Sequence, residues 1–505
     1  MTEFGYIVVG GGTAGCVLAA RLSEDPDASV LLVEAGSARL APATTVPGAW
    51  PELLGTAADW GDVTSAQADA GPLPYPRGRA LGGSSAINAM AHIRGHRAVY
   101  DAWAAGGAPG WGYENLLPDF WRSEDAEGRH PVLRGTGGPV RVAPVPEPER
   151  HPVAVAFAAA LTQAGCPATA DLSGTEQEGV GWADLAIDSG RRVSPADAYL
   201  AAARRRPNLT VQVGCLVTGL QVRHGRCTGV SYLSEGVPAR AHAHGEVVVC
   251  AGAVGSPQLL MLSGIGPAGQ LHALGIEVAA DLPGVGENLQ DHPAVLACYA
   301  SPRPLPRSRY NHGEVYAALR SPRAGAWPDL HLFPILLPTA PTGCQPPPAG
   351  YALAAAVVAP DSRGWVRLVT ADPQAAPVIN PGFLHDQRDL DRLEAGLAMI
   401  RQAAASAALA PVRAAEIAPG PDACTSAAMR AWIRGTVASY FHPAGTCRIG
   451  TDADPGAVVD AELQVRGISG LRIADASVIP IIPNAPLNAT VLAIAEKAAD
   501  LIASR

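Results

Sequence analysis

The stretch that decides the fold is GGGTAG at residues 10–15, which follows the apolar run YIVV at residues 6–9. Thr13–Leu22 then has the apolar spacing of a helix, and residues 29–33 form a second apolar run that ends at Glu34. The order strand, glycine turn, helix, strand is typical of a doubly wound α/β fold. We therefore expect this turn to bind a dinucleotide.

Each glycine of the turn has a physical task in that role. Gly10 permits the tight turn, Gly12 lets the backbone approach a pyrophosphate, and Gly15 lets helix and strand pack closely. Glu34, about 20 residues further on, can accept hydrogen bonds from the adenosine ribose. A purely structural turn is the alternative in a chain with 55 glycines, but the complete strand and helix context favours a dinucleotide.

Length and composition narrow the protein class. The chain has 505 residues, which is too many for one hydrophobic core and predicts at least two domains. Hydrophobic residues make up 48% and charged residues 16%, as in a folded globular protein. The net charge of −9, with no continuous basic stripe, argues against nucleic-acid binding.

Lysine usage excludes two further chemistries. Lys497 is the only lysine among the 37 basic residues, and no Gly-Lys step occurs. A P-loop requires that step, and a pyridoxal Schiff base requires an accessible lysine.

Cysteine and histidine spacing gives no sign of disulfides or metals. The nine cysteines are dispersed and never spaced Cys-x-x-Cys, which favours reduced thiols. The pairs His242/His244 and His92/His96 lack further ligands, so we expect no metal site.

The N-terminus has no basic n-region and no apolar run reaches the ~18–20 residues of a membrane span, so we expect a cytoplasmic protein.

The rest of the chain predicts a second sheet and more helices. Four short runs over residues 209–250 are predicted to return to the first domain as strands. Residues 327–337 and 351–358 are predicted strands of the second sheet. Residues 386–439 are predicted to be mostly helical, and a final helix is predicted over residues 488–503.

Longer motifs resemble the signatures of the glucose-methanol-choline (GMC) flavin oxidoreductases. Residues 78–88 (GRALGGSSAIN) resemble the first signature and residues 252–266 (GAVGSPQLLMLSGIG) the second. The likeness continues through GVGENLQDH at 284–292, FHPAGTCR at 441–448 and DAS at 475–477, so it spans the chain.

The resemblance implies two domains. An α/β, Rossmann-like and discontinuous FAD-binding domain would comprise residues 1–134, 200–290 and 440–505. An α+β substrate domain with an antiparallel sheet would comprise residues 135–199 and 291–439.

The resemblance also implies a non-covalent FAD. Some relatives attach the flavin through a histidine, but the matching position here is Ile87, which offers no nucleophile. The positions implied to contact FAD are Gly10, Gly12, Thr13, Ala14, Gly15, Glu34, Ala35, Gly82, Gly83, Ser84, Asn88, Ala89, Val217, Asp475, Ala476 and Asn488.

Two residues match the catalytic positions of the family. His442 matches the catalytic histidine, a general base for the alcohol hydroxyl. Asn488 is placed on the second catalytic position, where its amide would bind the substrate oxygen. Pro486 departs from the family pattern, which is often polar there.

The substrate pocket is expected to include an unusual set of rings. His92 falls where the first signature usually has an aromatic residue or alanine, and simple core packing is the alternative for His331 and Phe333. The pocket positions are His92, His331, Phe333, Tyr440 and Phe441.

The resemblance implies FAD-dependent oxidation of a small-molecule alcohol to a carbonyl. A redox-neutral lyase, a flavin-dependent decarboxylase and a cofactor-binding protein without turnover are the alternatives. Choline is not favoured, because no carboxylate stands out for its ammonium group. Oxygen, a quinone or a redox protein could reoxidise the flavin, and the oligomeric state is open.

Overall fold

The glycine turn lies at the carboxyl end of the central strand in the first of two seven-stranded sheets of the computed structural model, which describes residues 2–37 and 41–504. In chain order, the strands of the two sheets are β1 (Thr2–Val9), β2 (Val30–Val33), β3 (Gly179–Trp182), β4 (Leu209–Gln212), β5 (Cys215–Arg223), β6 (Arg226–Ser234), β7 (Val237–Val249), β8 (Pro293–Ala300), β9 (Val315–Leu319), β10 (Leu330–Ile335), β11 (Gly350–Val357), β12 (Glu416–Ala418), β13 (Ala438–Ser439) and β14 (Leu471–Ile473).

The first sheet combines a parallel half with an antiparallel meander. Its order is β4-β2-β1-β7-β6-β5, and β14 also pairs with β7. β4, β2, β1, β7 and β14 run parallel, whereas β5, β6 and β7 pair antiparallel. Both faces of the parallel half are covered, so β2 is buried along its whole length, which explains its unbroken apolar sequence.

Helices cover both sheets. The last helix is buried along most of its length and packs against the first. In chain order, the helices are α1 (Thr13–Leu22), α2 (Trp50–Leu53), α3 (Arg97–Ala105), α4 (Tyr113–Ser123), α5 (Pro152–Gln163), α6 (Ala201–Ala203), α7 (Gly252–Leu262), α8 (Ala268–Ala273), α9 (Gln387–Ala404), α10 (Ser426–Thr436) and α11 (Asn488–Ala503).

The second sheet is antiparallel throughout. Its order is β12-β8-β11-β10-β9-β3, and β13 also pairs with β8. α9 covers one face with the apolar stripe that includes Leu393 and Leu397. A Cβ on Gly396 would lie 2.9 Å from the Cβ of Ala355, so a glycine allows helix and sheet to approach this closely.

The region 386–439 is less helical than expected. α9 and α10 are separated by irregular chain and by β12. Pro411, Pro419 and Pro421 lie in this interval, and proline cannot continue a helix. The predicted strand over residues 327–337 is also shorter, since it spans only Leu330–Ile335.

Several two- and three-residue ladders complete the fold. None of the helices in the described residues is both long and apolar enough to cross a membrane. The ladders pair Ala91–His92 with Asp184–Leu185, Glu124–Asp125 with Val140–Arg141, Ile187–Asp188 with Arg191–Arg192, Ile265–Gly266 with Ala280–Asp281, and Trp365–Arg367 with Val378–Asn380.

Candidate active site

A cavity of about 770 Å³ opens at the carboxyl end of β1. That volume lies within the roughly 300–1,000 Å³ of cofactor and ligand sites. One wall is the glycine turn and its neighbours in the first sheet, and another comes from β8, β9, β10 and β11 of the second sheet. Ligands of open α/β sheets bind at the carboxyl ends of the strands, where this cavity lies.

Most residues that the sequence singled out line this one cavity. They come from segments far apart in the chain, which the fold brings together. The lining includes Gly10, Gly12, Thr13, Ala14, Glu34, Ala35, Gly83, Ser84, Asn88, Ala89, Val217, Phe333, Tyr440, Phe441, His442, Asp475, Ala476 and Asn488.

The glycine turn has the close packing that a dinucleotide turn requires. Gly10 has a φ of +98°. A Cβ on Gly15 would lie 1.8 Å from the carbonyl oxygen of Gly10, so α1 approaches β1 only because this residue is glycine. A Cβ on Gly83 would lie 2.6 Å from the Cα of Gly12, so the two glycine segments touch backbone to backbone.

Gly15 and Gly82 do not line the cavity. Gly15 lies behind the turn, where it packs helix on strand, as its predicted packing task requires. Gly82 has a φ of +92° and starts the short helical turn Gly83–Ala86 that faces the cavity.

Two buried carboxylates lie at the ends of strands beside the turn. Glu34, at the end of β2, accepts hydrogen bonds from the backbone N–H of Gly11 at 2.7 Å and of Gly36 at 2.6 Å. Burial raises the pKa of Glu34 to about 7, against the lowering effect of these two amides. Asp475 follows β14 and accepts from the backbone N–H of Gly252 at 2.8 Å.

Asn88 is held by an arginine that sequence reasoning missed. Nη1 of Arg192 donates to Oδ1 of Asn88 at 2.8 Å and to its backbone oxygen at 2.7 Å. Arg192 is buried, and burial lowers the pKa of its guanidinium to about 10. These bonds occupy the amide oxygen of Asn88 and leave its NH₂ group for the cavity.

His442 borders the cavity under strong local constraints. Its backbone N–H donates to Oδ1 of the buried Asp291 at 2.8 Å, and its Nδ1 lies 3.0 Å from Nδ1 of His292. Arg77 donates to the carbonyl of Phe441 at 2.8 Å, while Phe441 adopts a φ of +67°. Loss of solvation is the main cause, and the charge of Arg77 the second, of a pKa of His442 that is lowered to about 3.

Aromatic rings extend from His442 along the cavity. The rings of Tyr440 and His442 lie 4.4 Å apart between centroids. Phe333 stacks on Tyr440 at 4.8 Å with planes 14° apart, and Tyr316 stacks on Phe333 at 5.2 Å. The three side chains form a stack of rings that borders the cavity beside the imidazole.

Asn488 lines the same cavity as His442. Its Oδ1 accepts a hydrogen bond from the hydroxyl of Thr13 at 2.9 Å, at the N-terminus of α1. The side chain therefore has its partner at the glycine turn. Pro486, which departs from the family pattern, lines the cavity two residues earlier.

The prediction that His92 lines the pocket is wrong. Ala91 faces the cavity, and successive side chains of a strand point to opposite faces, so His92 points into the core. Its Nε2 lies 3.0 Å from Oε2 of Glu124, which is also bound by Arg94 and Arg134.

His331 also lies outside the cavity lining. It shares a face of β10 with Phe333 but is covered by Tyr316, whose ring lies 6.0 Å away. Burial lowers the pKa of His331 to about 4. The core-packing alternative therefore describes His331, whereas Phe333 reaches the cavity.

Three further residues of this site were missed. His292 and Asp291 close the GVGENLQDH motif, and Arg77 directly precedes the first signature, so both signals were present in the sequence. In the described part of the chain, no group of three His, Cys, Asp or Glu side chains could hold a metal ion.

Comparisons with known proteins agree over the whole chain. The N-terminal domain of the GMC oxidoreductases matches residues 4–294 and the C-terminal domain matches residues 360–495. The chain is 38% identical to mitochondrial choline dehydrogenase of Homo sapiens, over 99% of this chain and 90% of that protein. It is also 38% identical to oxygen-dependent choline dehydrogenase of Photobacterium profundum, over 99% and 93%.

A solved structure is equally similar. The fold matches that of pyridoxine 4-oxidase from Mesorbium loti with a TM-score of 0.95 and 38% identity, over 99% of both chains. The glycine turn, the cavity and these full-length likenesses together show that the chain belongs to the GMC oxidoreductase family and is an FAD-dependent oxidoreductase that acts on alcohols.

Proposed function

We propose that the chain oxidises an uncharged aromatic alcohol to the carbonyl compound, with His442 as the base that takes the hydroxyl proton. The observation that carries this proposal is the stack of rings formed by Tyr316, Phe333 and Tyr440, which ends at the imidazole. The faces of these rings cover one another, so a ligand meets their edges, and ring edges favour the face of an aromatic substrate.

The surroundings of His442 suit a base. A neutral imidazole has one nitrogen with a free lone pair, and the lowered pKa keeps the ring neutral at physiological pH. Arg77 repels positive charge and so weakens the imidazole as a base, and the negative charge that develops on the alcohol oxygen would offset this repulsion.

The cofactor end of the cavity fits FAD. The amides at the start of α1 suit a pyrophosphate, and the carboxylate of Glu34 suits a ribose. FAD supplies the acceptor for the hydride that leaves the alcohol carbon. We propose that the lining residues named above hold it, with Asn488 acting at the pyrophosphate turn through Thr13.

Choline is the second candidate substrate, because both curated relatives named above are choline dehydrogenases. Aromatic rings also attract quaternary ammonium groups. The site also argues against choline, because the charged group with the largest effect on the pKa of His442 is Arg77, whose positive charge would repel the ammonium group. The carboxylates of the described lining are Glu34 and Asp475, both bound to backbone amides, and Asp62, whose charge Arg77 offsets.

Anaerobic mixing with a panel of alcohols tests the substrate class. Benzyl alcohol and 3-pyridylmethanol should bleach the oxidised flavin band faster than choline or butanol at equal concentration. Faster bleaching by choline would establish the second candidate instead. A lyase or a non-catalytic protein would leave the band unbleached by every alcohol.

Replacement of the base tests His442 itself. We expect His442→Asn to slow flavin reduction at least ~10²-fold, the usual effect of losing a general base, while FAD stays bound. His272→Ala is the matched control, because His272 is exposed on α8. An unchanged reduction rate in His442→Asn would remove this residue from the mechanism.

We propose oxygen as the acceptor that reoxidises the flavin. Support comes from the names of two relatives, an oxygen-dependent dehydrogenase and an oxidase. Hydrogen peroxide should then appear in amounts equal to the alcohol consumed, and its absence in aerated buffer would point to a quinone or a redox protein.

We also propose a cytoplasmic location. The nine cysteines are unpaired thiols, as a reducing compartment would keep them. Recovery of the protein in the periplasmic fraction of its cells would contradict this proposal.

A further inference from the structure

Two histidine rings meet beside the cavity in a contact that the reaction above does not yet use. Nδ1 of His292 lies 3.0 Å from Nδ1 of His442, and the ring planes are 85° apart. His292 is completely buried, directly before β8. Both backbones are fixed by one carboxylate oxygen, since Oδ1 of Asp291 accepts from the N–H of His292 at 2.7 Å and of His442 at 2.8 Å.

The contact holds a single proton. Two ring nitrogens at 3.0 Å form a hydrogen bond only if one carries the proton and the other presents its lone pair. Burial lowers the pKa of His292 well below its ordinary value, and His442 and His331 lower it further, so both imidazoles are neutral. Two arrangements therefore remain.

The arrangements have opposite consequences for His442. With the proton on its Nδ1, the remaining nitrogen, Nε2, has a free lone pair and can take a proton from an alcohol. With the proton on Nδ1 of His292, Nε2 of His442 carries a hydrogen instead and cannot act as a base.

The surroundings of His292 favour the first arrangement. Its Nε2 is buried and has no hydrogen-bond partner within the described residues. The backbone carbonyl of Pro483 raises the pKa of His292 against the effect of burial, and Nε2 is the ring nitrogen that is not occupied by His442. A carbonyl can only accept, so it stabilises a proton on Nε2. A neutral His292 that is protonated there presents its lone pair at Nδ1, toward His442.

We propose that His292 is a positioning residue that fixes the tautomer of His442, so that Nε2 of His442 is left free to take the hydroxyl proton. The inference rests on the proposed role of His442 as base. When Nε2 takes the proton, His442 becomes an imidazolium whose Nδ1–H keeps its acceptor on His292. The bond is then charge-assisted and stronger, so the same contact stabilises the product of proton transfer.

The tautomer can be observed directly in the holoenzyme labelled with ¹⁵N-histidine. Protonated and unprotonated ring nitrogens resonate far apart, and the signals of His442 are those lost in His442→Asn among the 13 histidines. We expect a protonated Nδ1 and an unprotonated Nε2. A proton on Nε2 of His442 would overturn the proposal without reference to turnover.

The flavin reduction rates of His292 variants give a second, kinetic test. His292→Leu removes the acceptor, so we expect both tautomers of His442 and at least ~10-fold slower flavin reduction at unchanged FAD content. His292→Asn can turn its amide oxygen toward His442, and we expect it to recover the Nδ1–H tautomer and most of the rate. An unchanged tautomer and rate in His292→Leu would also overturn the proposal.

The two levels of failure are distinguishable. If His442→Asn reduces the flavin as fast as the parent protein, the base assignment fails whatever the tautomer. If that variant is slow but His442 carries its proton on Nε2, only the role of His292 fails. If His292→Leu does not fold, the ¹⁵N spectrum of the parent protein and the flavin reduction rate of His292→Asn still test the role of His292.

Discussion

A base next to a fixed cation is the defining residue-scale feature of this site. Arg77 is joined to the backbone at Phe441, so its charge cannot move away from the neighbouring His442. Both the missing solvent and this charge disfavour imidazolium, and both lower the pKa of the ring. The site therefore keeps the free base ready over a wide pH range.

This lowered pKa predicts an unusual pH profile. A protonated imidazole cannot accept a proton, so activity is lost as the pH falls through the pKa of His442, which is about 3 instead of 6.5. We expect the rate of flavin reduction to be level from about pH 5 to 8 in anaerobic stopped-flow measurements. A fall to half near pH 6.5 would mean that Arg77 and burial do not control the base.

Ile87 predicts how the flavin is held. Its side chain is buried among Leu53, Ala58, Ala80 and Ala86, and a hydrocarbon cannot form a bond to the flavin. We expect acid precipitation to release all yellow colour into the supernatant. Colour that stays in the washed pellet would show a covalent attachment and a different residue as tether.

Whether a site residue could be predicted from the sequence depends on what determines the direction of its side chain. Glycines 10, 12 and 15 act through local backbone geometry, which a motif contains. His92 depended on the alternation of a two-residue strand, and His331 on whether Tyr316 covers it. His292 was missed although it closes a motif, because a motif marks the residue but not its contact with a partner 150 residues away.

At the element scale, the N-termini of α1 and α11 meet at the cavity. The hydrogen bond from Thr13 to Asn488 joins residues 475 positions apart. Both helix starts line the cavity, so their free N–H groups and positive dipole ends act on the same ligand. The hydrogen bond between Thr13 and Asn488 fixes how the N-termini of α1 and α11 are oriented relative to each other.

Asn488→Ala should therefore weaken FAD binding more than catalysis. Loss of one side-chain hydrogen bond costs about 1 kcal/mol, or about fivefold in the Kd of FAD. The flavin reduction rate per bound FAD should stay within about threefold. Thr13→Val should have the same effect, and the double variant should be no worse than either. Exposed Asn115→Ala is the control. Full FAD retention with slow reduction would support a catalytic role for Asn488 instead.

A helix could be predicted from the sequence where its burial and its local residue pattern agree. α11 is buried on nearly all sides and was predicted from its apolar sequence at residues 488–503, as observed. α4 was missed, and it carries Pro118 in its interior, which argues against a helix in any local reading. Packing of α4 against α11 supplies the stabilisation that propensity does not.

At the scale of the whole molecule, the cavity is enclosed by both sheets. The glycine turn belongs to the first sheet, while Phe333 and Ala294 belong to the second. We propose that the chain divides into an FAD-binding unit of residues 1–134, 200–290 and 440–505, and a substrate unit of residues 135–199 and 291–439. A ligand that fills the cavity contacts both units and ties their unfolding together.

FAD should therefore stabilise the protein as one unit, and a fragment of FAD should do less. At 100 times its Kd, a ligand that binds only the folded state adds about 2.7 kcal/mol to the free energy of unfolding. We expect thermal denaturation of the apoprotein to shift up by several degrees with FAD, in a single transition. ADP should bind the glycine turn and Glu34 but leave the wall formed by the second sheet uncovered. At an equal multiple of its own Kd, ADP should therefore raise only the melting temperature of the FAD-binding unit, and the substrate unit should melt in a separate transition. A single transition at the same temperature with ADP and with FAD would show that the stability of the second sheet does not depend on the ligand.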